Sequence, residues 1–278
     1  MEQEDKLLTL VKHMLQHIRV PLSVKVRLVP SVNHPDDKEW DIPKESLKLY
    51  SKLVDLGIHL LTIHGRTRYA KGVLTGKSDW ETIRKAIDLF GSRIPIFANG
   101  SIESYDDVEE CLKVTNADGV MSSESVLEFP PIFYKIPQNQ RTISRMQIAQ
   151  EYLDLAKRFP PNVGGQGSGM KCIRTHIHKI LNHDLQRSPE VRRRLVDAET
   201  FEQLQSEVDQ LDREYYSKPD YDVATEELSW YHRHRYNQER HDNKLKMRIA
   251  EEKKDPDAEA AAECACSFFG EDGDASDY

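Results

Sequence analysis

The sequence predicts an α/β fold with parallel strands, followed by an all-α helical domain and a polar acidic tail. Three observations carry this. From Lys6 to about Phe133, short apolar runs alternate with helical patterns; from about Arg141 to Tyr215 the pattern is helical only; beyond Lys218 the chain turns increasingly polar. The last segment, Glu251 to Tyr278, holds ten acids against two lysines and too few large apolar residues to bury a core.

The alternating region repeats one unit. Leu7, Val11, Met14 and Ile18 share a helical face, Pro21 breaks it, and Leu22–Leu28 reads as a strand. Leu47, Tyr50, Leu53 and Val54 form the next stripe, closed by Gly57 and followed by strand Leu60–His64. Ser78-Asp79-Trp80-Glu81 reads as a capped helix start with Ser78 as cap; Ile83 and Ile87 continue the face and Gly91 stops it. Pro95–Ala98 is the third strand, Ser104 caps a helix through Val108, Cys111 and Leu112, and Ala117–Met121 is the fourth strand. Single helices between strands imply right-handed parallel crossovers, as in a doubly wound sheet or a (β/α)8 barrel. A complete barrel needs eight strands and about 250 residues. Four strands cannot close one, so residues 1–136 read as a partial TIM barrel.

In the helical region, 141–217, Ile148, Tyr152 and Ala156 repeat at helical spacing, as do Ile173, Ile177, Ile180 and Leu181. Ser188-Pro189-Glu190 opens a further helix, and Phe201, Leu204, Val208, Leu211 and Tyr215 line another. Pro160–Gly169 separates the first two as a flexible loop by composition.

Composition excludes several classes. No run approaches the roughly 18 apolar residues of a membrane span, and the acidic start is not secretory, so no membrane partner is expected. Four cysteines, two of them in the acidic tail, make no disulfide framework, which points to a cytosolic or nuclear setting. Cys264-Ala265-Cys266 lacks the spacing of a metal knuckle, and no metal is expected. The formal charge of −8 resides in the tail, leaving the rest of the chain neutral overall but unevenly charged.

Polar residues cluster just after each strand: Lys25 and Arg27, His64 and Arg66, Asn99, and Ser122 with Ser123. Both candidate architectures bind ligands there. Asn99-Gly100-Ser101 ends a strand before a capped helix, where glycine admits close backbone approach and the following amides can cradle phosphate. Asp118-Gly119-Val120-Met121-Ser122-Ser123 repeats the arrangement with hydroxyls. Lys25 is a cation in an otherwise apolar strand, suited to negative charge on a reduced flavin. His64 can donate to a ring carbonyl, and Arg66 and Arg68 suit phosphate or a planar base.

Val24-Lys25-Val26-Arg27, Leu61-Thr62-Ile63-His64-Gly65-Arg66-Thr67, Gly76 with Asp79-Trp80, Phe97–Ile102 and Asp118–Ser122 resemble, in order and spacing, the successive signatures of tRNA-dihydrouridine synthases. The likeness is strongest to the eukaryotic branch acting on the D-loop of tRNA. The resemblance implies a TIM-barrel flavoprotein in which NADPH or NADH reduces FMN, hydride passes to C6 of a uridine, and a cysteine protonates C5. The target base must leave the tRNA stack to meet the flavin. By motif position, Lys25 and His64 would contact the isoalloxazine, and Asn99, Gly100 and Ser101 would hold the phosphate with Ser123 and Glu124. Glu124 stands where many members carry arginine, so its contact would be through the backbone amide. Arg66 and Arg68 would meet the tRNA substrate, and Lys171, Arg174 and His176 resemble the start of the family's tRNA-binding helical domain.

The family's Pro-Met flavin loop and its Asn-x-x-Cys-Pro segment have no counterpart among Cys111, Cys172, Cys264 and Cys266. The expectation is a fragment, isoform or gene-prediction artefact without a catalytic cysteine. Such a chain would by itself neither hold FMN tightly nor reduce uridine, and a complementing chain could supply the missing strands. Charge is consistent with tRNA as partner: residues 141–200 hold eleven Lys or Arg against six acids, and Lys171, Arg174 and His178 fall at helical spacing. In the extension 218–250, Trp230–Tyr236 with Arg240, Lys244, Lys246 and Arg248 interleaves aromatic and basic groups, a pattern that suits either a solvated helix surface or RNA. Two other readings stay open: a non-catalytic RNA-binding protein derived from the family, and another flavin- or phosphate-binding barrel oxidoreductase.

Overall fold

The computed structural model describes residues 4–31, 40–70, 76–135, 143–161 and 169–217. The loop at 162–168, the aromatic and basic extension and the acidic tail lie outside the described residues. Those described fall into two compact units, dividing between Ser122 and Ser123.

The first unit alternates helix and strand: α1 (Glu4–His17), β1 (Ser23–Arg27), α2 (Ile42–Asp55), β2 (Leu60–His64), α3 (Trp80–Phe90), β3 (Ile96–Asn99), α4 (Tyr105–Thr115) and β4 (Gly119–Met121). The strands form one parallel sheet in sequence order, as single helical crossovers of one hand require. Register aligns Lys25, Thr62, Phe97 and Gly119 in one row and Arg27, His64, Asn99 and Met121 in the next. Because side chains alternate along a strand, both rows share one face of the sheet, and Val26, Leu61, Ile63, Ile96 and Ala98 occupy the other. The latter five are almost wholly buried, as are Leu49, Tyr50 and Leu53 of α2 and Ile83 and Ala86 of α3. Each such aliphatic side chain contributes about 1.5–3 kcal/mol on burial, so the helical layer fixes the sheet's apolar face and leaves the polar face to chemistry.

Local signals in the first unit behave as their chemistry demands, with one exception. Ser104 and Asp107 form a reciprocal capping box on α4, and Gly57 takes a φ of 93° beyond α2. At α3, however, the cap is Asp79 rather than the expected Ser78: its carboxylate accepts from the Thr82 amide at 2.8 Å. Ser78 is diverted, its hydroxyl donating to the Asn99 carbonyl at 3.2 Å.

All regular structure described in the second unit is helical. It comprises α5 (Ser125–Glu128), a 3-10 turn at Pro130–Phe133, α6 (Arg145–Arg158), α7 (Met170–Ile180), α8 (Asn182–Arg187), α9 (Pro189–Asp197) and α10 (Phe201–Leu211), which ends in a π turn at Asp212–Tyr216. Its core gathers Ala149, Leu153, Ile177, Leu181, Leu185, Leu195, Leu204, Val208 and Leu211, all fully buried. Ser188 precedes α9 without capping it; its hydroxyl instead bonds the Tyr215 hydroxyl at 2.7 Å.

Candidate active site at the strand ends

Three consecutive strand ends bring Arg27, His64 and Asn99 side by side, and the turns after β2 and β3 lock together behind them. Gly65 donates its amide to the Asn99 carbonyl (3.2 Å) and accepts from the Asp79 amide (2.6 Å). A Cβ on Gly65 would lie 2.5 Å from Ser78 Oγ and 2.7 Å from the Asp79 carbonyl oxygen, so the two segments meet only because this residue has no side chain. Trp80 Nε1 donates to the Gly100 carbonyl at 3.1 Å, closing the turn from the helix side. Gly100 has a φ of 103°, and a Cβ there would sit 2.9 Å from His64 Cδ2.

His64 is buried, and its pKa is lowered to about 2, first by burial and then by the charges of Arg27, Arg66 and Lys25. At neutral pH the ring is therefore an uncharged imidazole. Lys25 stands on the edge strand β1, one row below; burial of its ammonium, and secondarily Arg27, hold its pKa below the usual lysine range. Arg27, which sequence reading noted only as a polar strand-end residue, donates from Nη1 to the Thr67 carbonyl at 2.9 Å and adds to the positive field. Its polar character at a strand end was the available signal.

Asn99 is 1% exposed, and Nδ2 donates to the Met121 carbonyl at 2.7 Å. Its Oδ1 is buried with no hydrogen-bond partner among the described residues. A buried acceptor left unsatisfied costs about 1–3 kcal/mol, so Asn99 is set to accept from a ligand N–H or O–H. Ser101, with a left-handed φ of 60°, accepts through Oγ from the Ser78 amide (2.9 Å) and from Arg66 Nη2 (3.1 Å). Both lone pairs are thereby engaged, and the hydroxyl proton remains to be donated, the polarity an anion requires.

Arg66 is placed among these groups and not on an outward face. It is buried and donates from Nε and Nη2 to the Gly76 carbonyl (3.0 and 2.7 Å). Arg68 is half-buried, its guanidinium 4.8 Å from the Tyr69 ring centroid and bonded to the Tyr69 hydroxyl at 3.0 Å. Ser123 and Glu124 are exposed and belong by packing to the second unit. On α7 of that unit Lys171 is exposed; Arg174 donates to the Ala198 carbonyl at 2.6 Å, and His176 Nδ1 pairs with the Tyr152 hydroxyl at 2.7 Å. Burial, then Lys179, lowers the His176 pKa.

Cys111 is fully buried in the helical layer, its thiol pushed up to about 11 by burial, and it lies on the apolar face of α4 as a small hydrophobe. Cys172 is half-buried, and burial raises its thiol as well. Among the described residues no helix is long and apolar enough to cross a membrane, and no group of three or more His, Cys, Asp or Glu is placed to hold a metal.

The family model of dihydrouridine synthases matches residues 1–216. The chain belongs to the dihydrouridine synthase family. Among curated relatives, a mouse protein named as tRNA-dihydrouridine(16/17) synthase-like is 30% identical over 201 residues, covering 72% of this chain and 37% of its own. The tRNA-dihydrouridine(16/17) synthase of Saccharomyces cerevisiae is 28% identical over 236 residues, covering 81% and 52% respectively. That of Schizosaccharomyces pombe is 29% identical over 192 residues, covering 66% and 45%. All three names specify NAD(P)(+). The chain thus spans between 37% and 52% of the length of these relatives.

Proposed function

We propose that this chain forms the flavin-holding part of an NAD(P)H-dependent enzyme that reduces uridine to dihydrouridine in tRNA, in the D-loop positions 16 and 17 named for its relatives. The single observation that carries the reading is the buried, unpartnered Oδ1 of Asn99 beside a wall of cations and neutral donors at the strand ends.

The residues fit FMN. Lys25 and Arg27 supply positive charge for the edge of the ring on which negative charge develops, and His64 offers a neutral N–H. Asn99 Oδ1 supplies an acceptor and Ser101 a hydroxyl proton, while Gly100, without a side chain, leaves room for the His64 ring beside them. When bound, FMN supplies the hydride chemistry between nicotinamide and uridine. The chain's part is electrostatic: fixed cations and donors already aimed at the site reorganise little as charge develops, which is where such groups contribute most. Lys171, Arg174 and His176 of the helical unit would meet the RNA backbone, and Arg68 of the first unit the tRNA substrate.

C5 of the uridine also needs a proton, and Cys111, buried and of raised pKa, is not its source. An Asn-x-x-Cys-Pro segment placed against β1 or β4, the outer strands of the sheet among the described residues, would supply that donor. The test incubates the full chain with FMN, NADPH or NADH, and unmodified tRNA, and measures bound flavin, bound tRNA and dihydrouridine by mass. The expected result is flavin and tRNA both bound, weakly for flavin, with little dihydrouridine until such a segment is added. Binding of tRNA with no flavin at any concentration would favour an RNA-binding protein without redox chemistry and overturn the reading.

A further inference from the structure

Arg66 Nη1 lies 3.2 Å from His64 Nε2, and both side chains are buried. A guanidinium in a protein is always protonated and only donates, so Nε2 must be the lone-pair nitrogen of this contact. The single proton of a neutral imidazole is then at Nδ1. Packing says the same of the ring's orientation. A Cβ on Gly100 would lie 2.9 Å from Cδ2 and 3.0 Å from Nε2, so the Cδ2–Nε2 edge is pressed against the Gly100 backbone and Arg66. The Nδ1–Cε1 edge is turned away from both.

Arg66 itself has little freedom. Its Nε and Nη2 converge on the Gly76 carbonyl and Nη2 also reaches Ser101 Oγ, so the guanidinium plane is held from two segments while Nη1 points at the imidazole. The unusual backbone of Ser101, at φ 60°, and the side-chain-free Gly100 before it are what place that hydroxyl and leave room for the ring. The charged groups acting on His64 are Lys25 and Arg27 from β1 and Arg66 from the turn after β2, all cations; β3 faces it with the neutral Asn99.

We propose that Arg66 is a positioning residue: its guanidinium locks His64 as the Nδ1–H tautomer, so that the ring presents only a donor, never an acceptor or an acid, to the occupant of the strand-end site. The identity of that occupant as a flavin rests on the function proposed above; the tautomer does not. A donor fixed in advance distinguishes oxidised from reduced flavin without any proton leaving the histidine, because the ring edge gains acceptor strength as it gains electrons. It also gives a reason for a buried arginine two residues after the histidine, where a surface arginine for RNA would serve equally well if phosphate contact were its only role.

The experiment is long-range 1H–15N correlation spectroscopy on the full chain labelled with 15N-histidine, the His64 signals being identified by their loss in His64→Gln. The expected wild-type pattern is a protonated Nδ1 and an unprotonated Nε2, unchanged from pH 8 to about pH 5. In Arg66→Met, His64 should shift to Nε2–H or to a mixture of tautomers. An Nε2–H tautomer or a charged ring in wild type overturns the proposal, and so does an Nδ1–H pattern that persists unchanged in a folded Arg66→Met. Should the methionine variant fail to fold, the wild-type tautomer and its acid titration still decide. Adding FMN separates the two claims. A shifted Nδ1–H resonance supports a flavin recipient, and FMN that binds without moving it contradicts that recipient. No FMN binding sinks the proposed function and leaves the tautomer to stand or fall on the apo spectra.

Discussion

Acidification should destabilise the protein through His64 in a way that one substitution isolates. At pH 7 the ring is neutral in both folded and unfolded chains. On acidification the unfolded histidine takes up a proton at its ordinary pKa of 6.5, whereas the folded ring, buried and facing Arg27, Arg66 and Lys25, resists until about 2. Between these values the unfolded state binds one more proton, so stability present at neutral pH is lost as pH falls. One differential proton corresponds to about 1.4 kcal/mol per pH unit, and roughly 2.3 kcal/mol disappears between about pH 6.5 and 4.5. Carboxylates titrate over part of the same range, so the informative quantity is a difference. Urea unfolding followed by circular dichroism at half-unit pH steps is to be run on wild type and on His64→Gln, which keeps an acceptor for Arg66 but cannot titrate. The wild-type curve should fall away from that of the variant by about 2.3 kcal/mol over two pH units. Parallel curves would refute the burial-plus-cation argument for this site.

Further outcomes follow from packing. Gly65→Ala drives a Cβ to 2.5 Å from Ser78 Oγ and 2.7 Å from the Asp79 carbonyl; it should cost about 1–3 kcal/mol in urea unfolding, and an alanine variant as stable as wild type would contradict the close approach of the two turns. Ile177→Ala empties a fully buried position in the helical unit; a loss of about 2–5 kcal/mol is expected, and a change below about 1 kcal/mol would deny Ile177 its place in that core.

The alternation of strand and helix is legible because each βα unit carries its own periodicity. The strand order β1-β2-β3-β4 follows from short crossovers of one hand, with boundaries differing by one or two residues. The short helices α5 and α8, at four and six residues, carry too few turns for any periodic signal and were not foreseeable. Ser78 and Asp79 were equally plausible caps by residue type; the choice was made by the Asn99 carbonyl, which lies far along the chain and draws the serine hydroxyl away. The same limit applies at the site. Lys25, His64, Asn99, Gly100 and Ser101 could be grouped from position alone, since parallel strands end at one edge. That Arg66 turns inward could not, because its acceptor is the Gly76 carbonyl ten residues on, and no local pattern encodes the path between. On α7, helical spacing groups Arg174 with Lys171 and His178 and the resemblance adds His176, but the bonds of Arg174 to the Ala198 carbonyl and of His176 to Tyr152 are tertiary contacts that spacing does not contain.

The central claim is that the strand ends form a flavin site with Asn99 as an acceptor. Its most direct test is a titration of FMN by the full chain, followed by quenching of flavin fluorescence, for wild type and for Asn99→Leu. The leucine keeps the branching of asparagine at Cγ, though it is bulkier, and removes the unpartnered Oδ1 along with the bond to the Met121 carbonyl. Saturable quenching in wild type, weakened about tenfold or more in the variant (the equivalent of about 1.4 kcal/mol), is the predicted result, given a variant that unfolds cooperatively in urea. Equal affinities in the two chains, or no quenching in wild type, would contradict it.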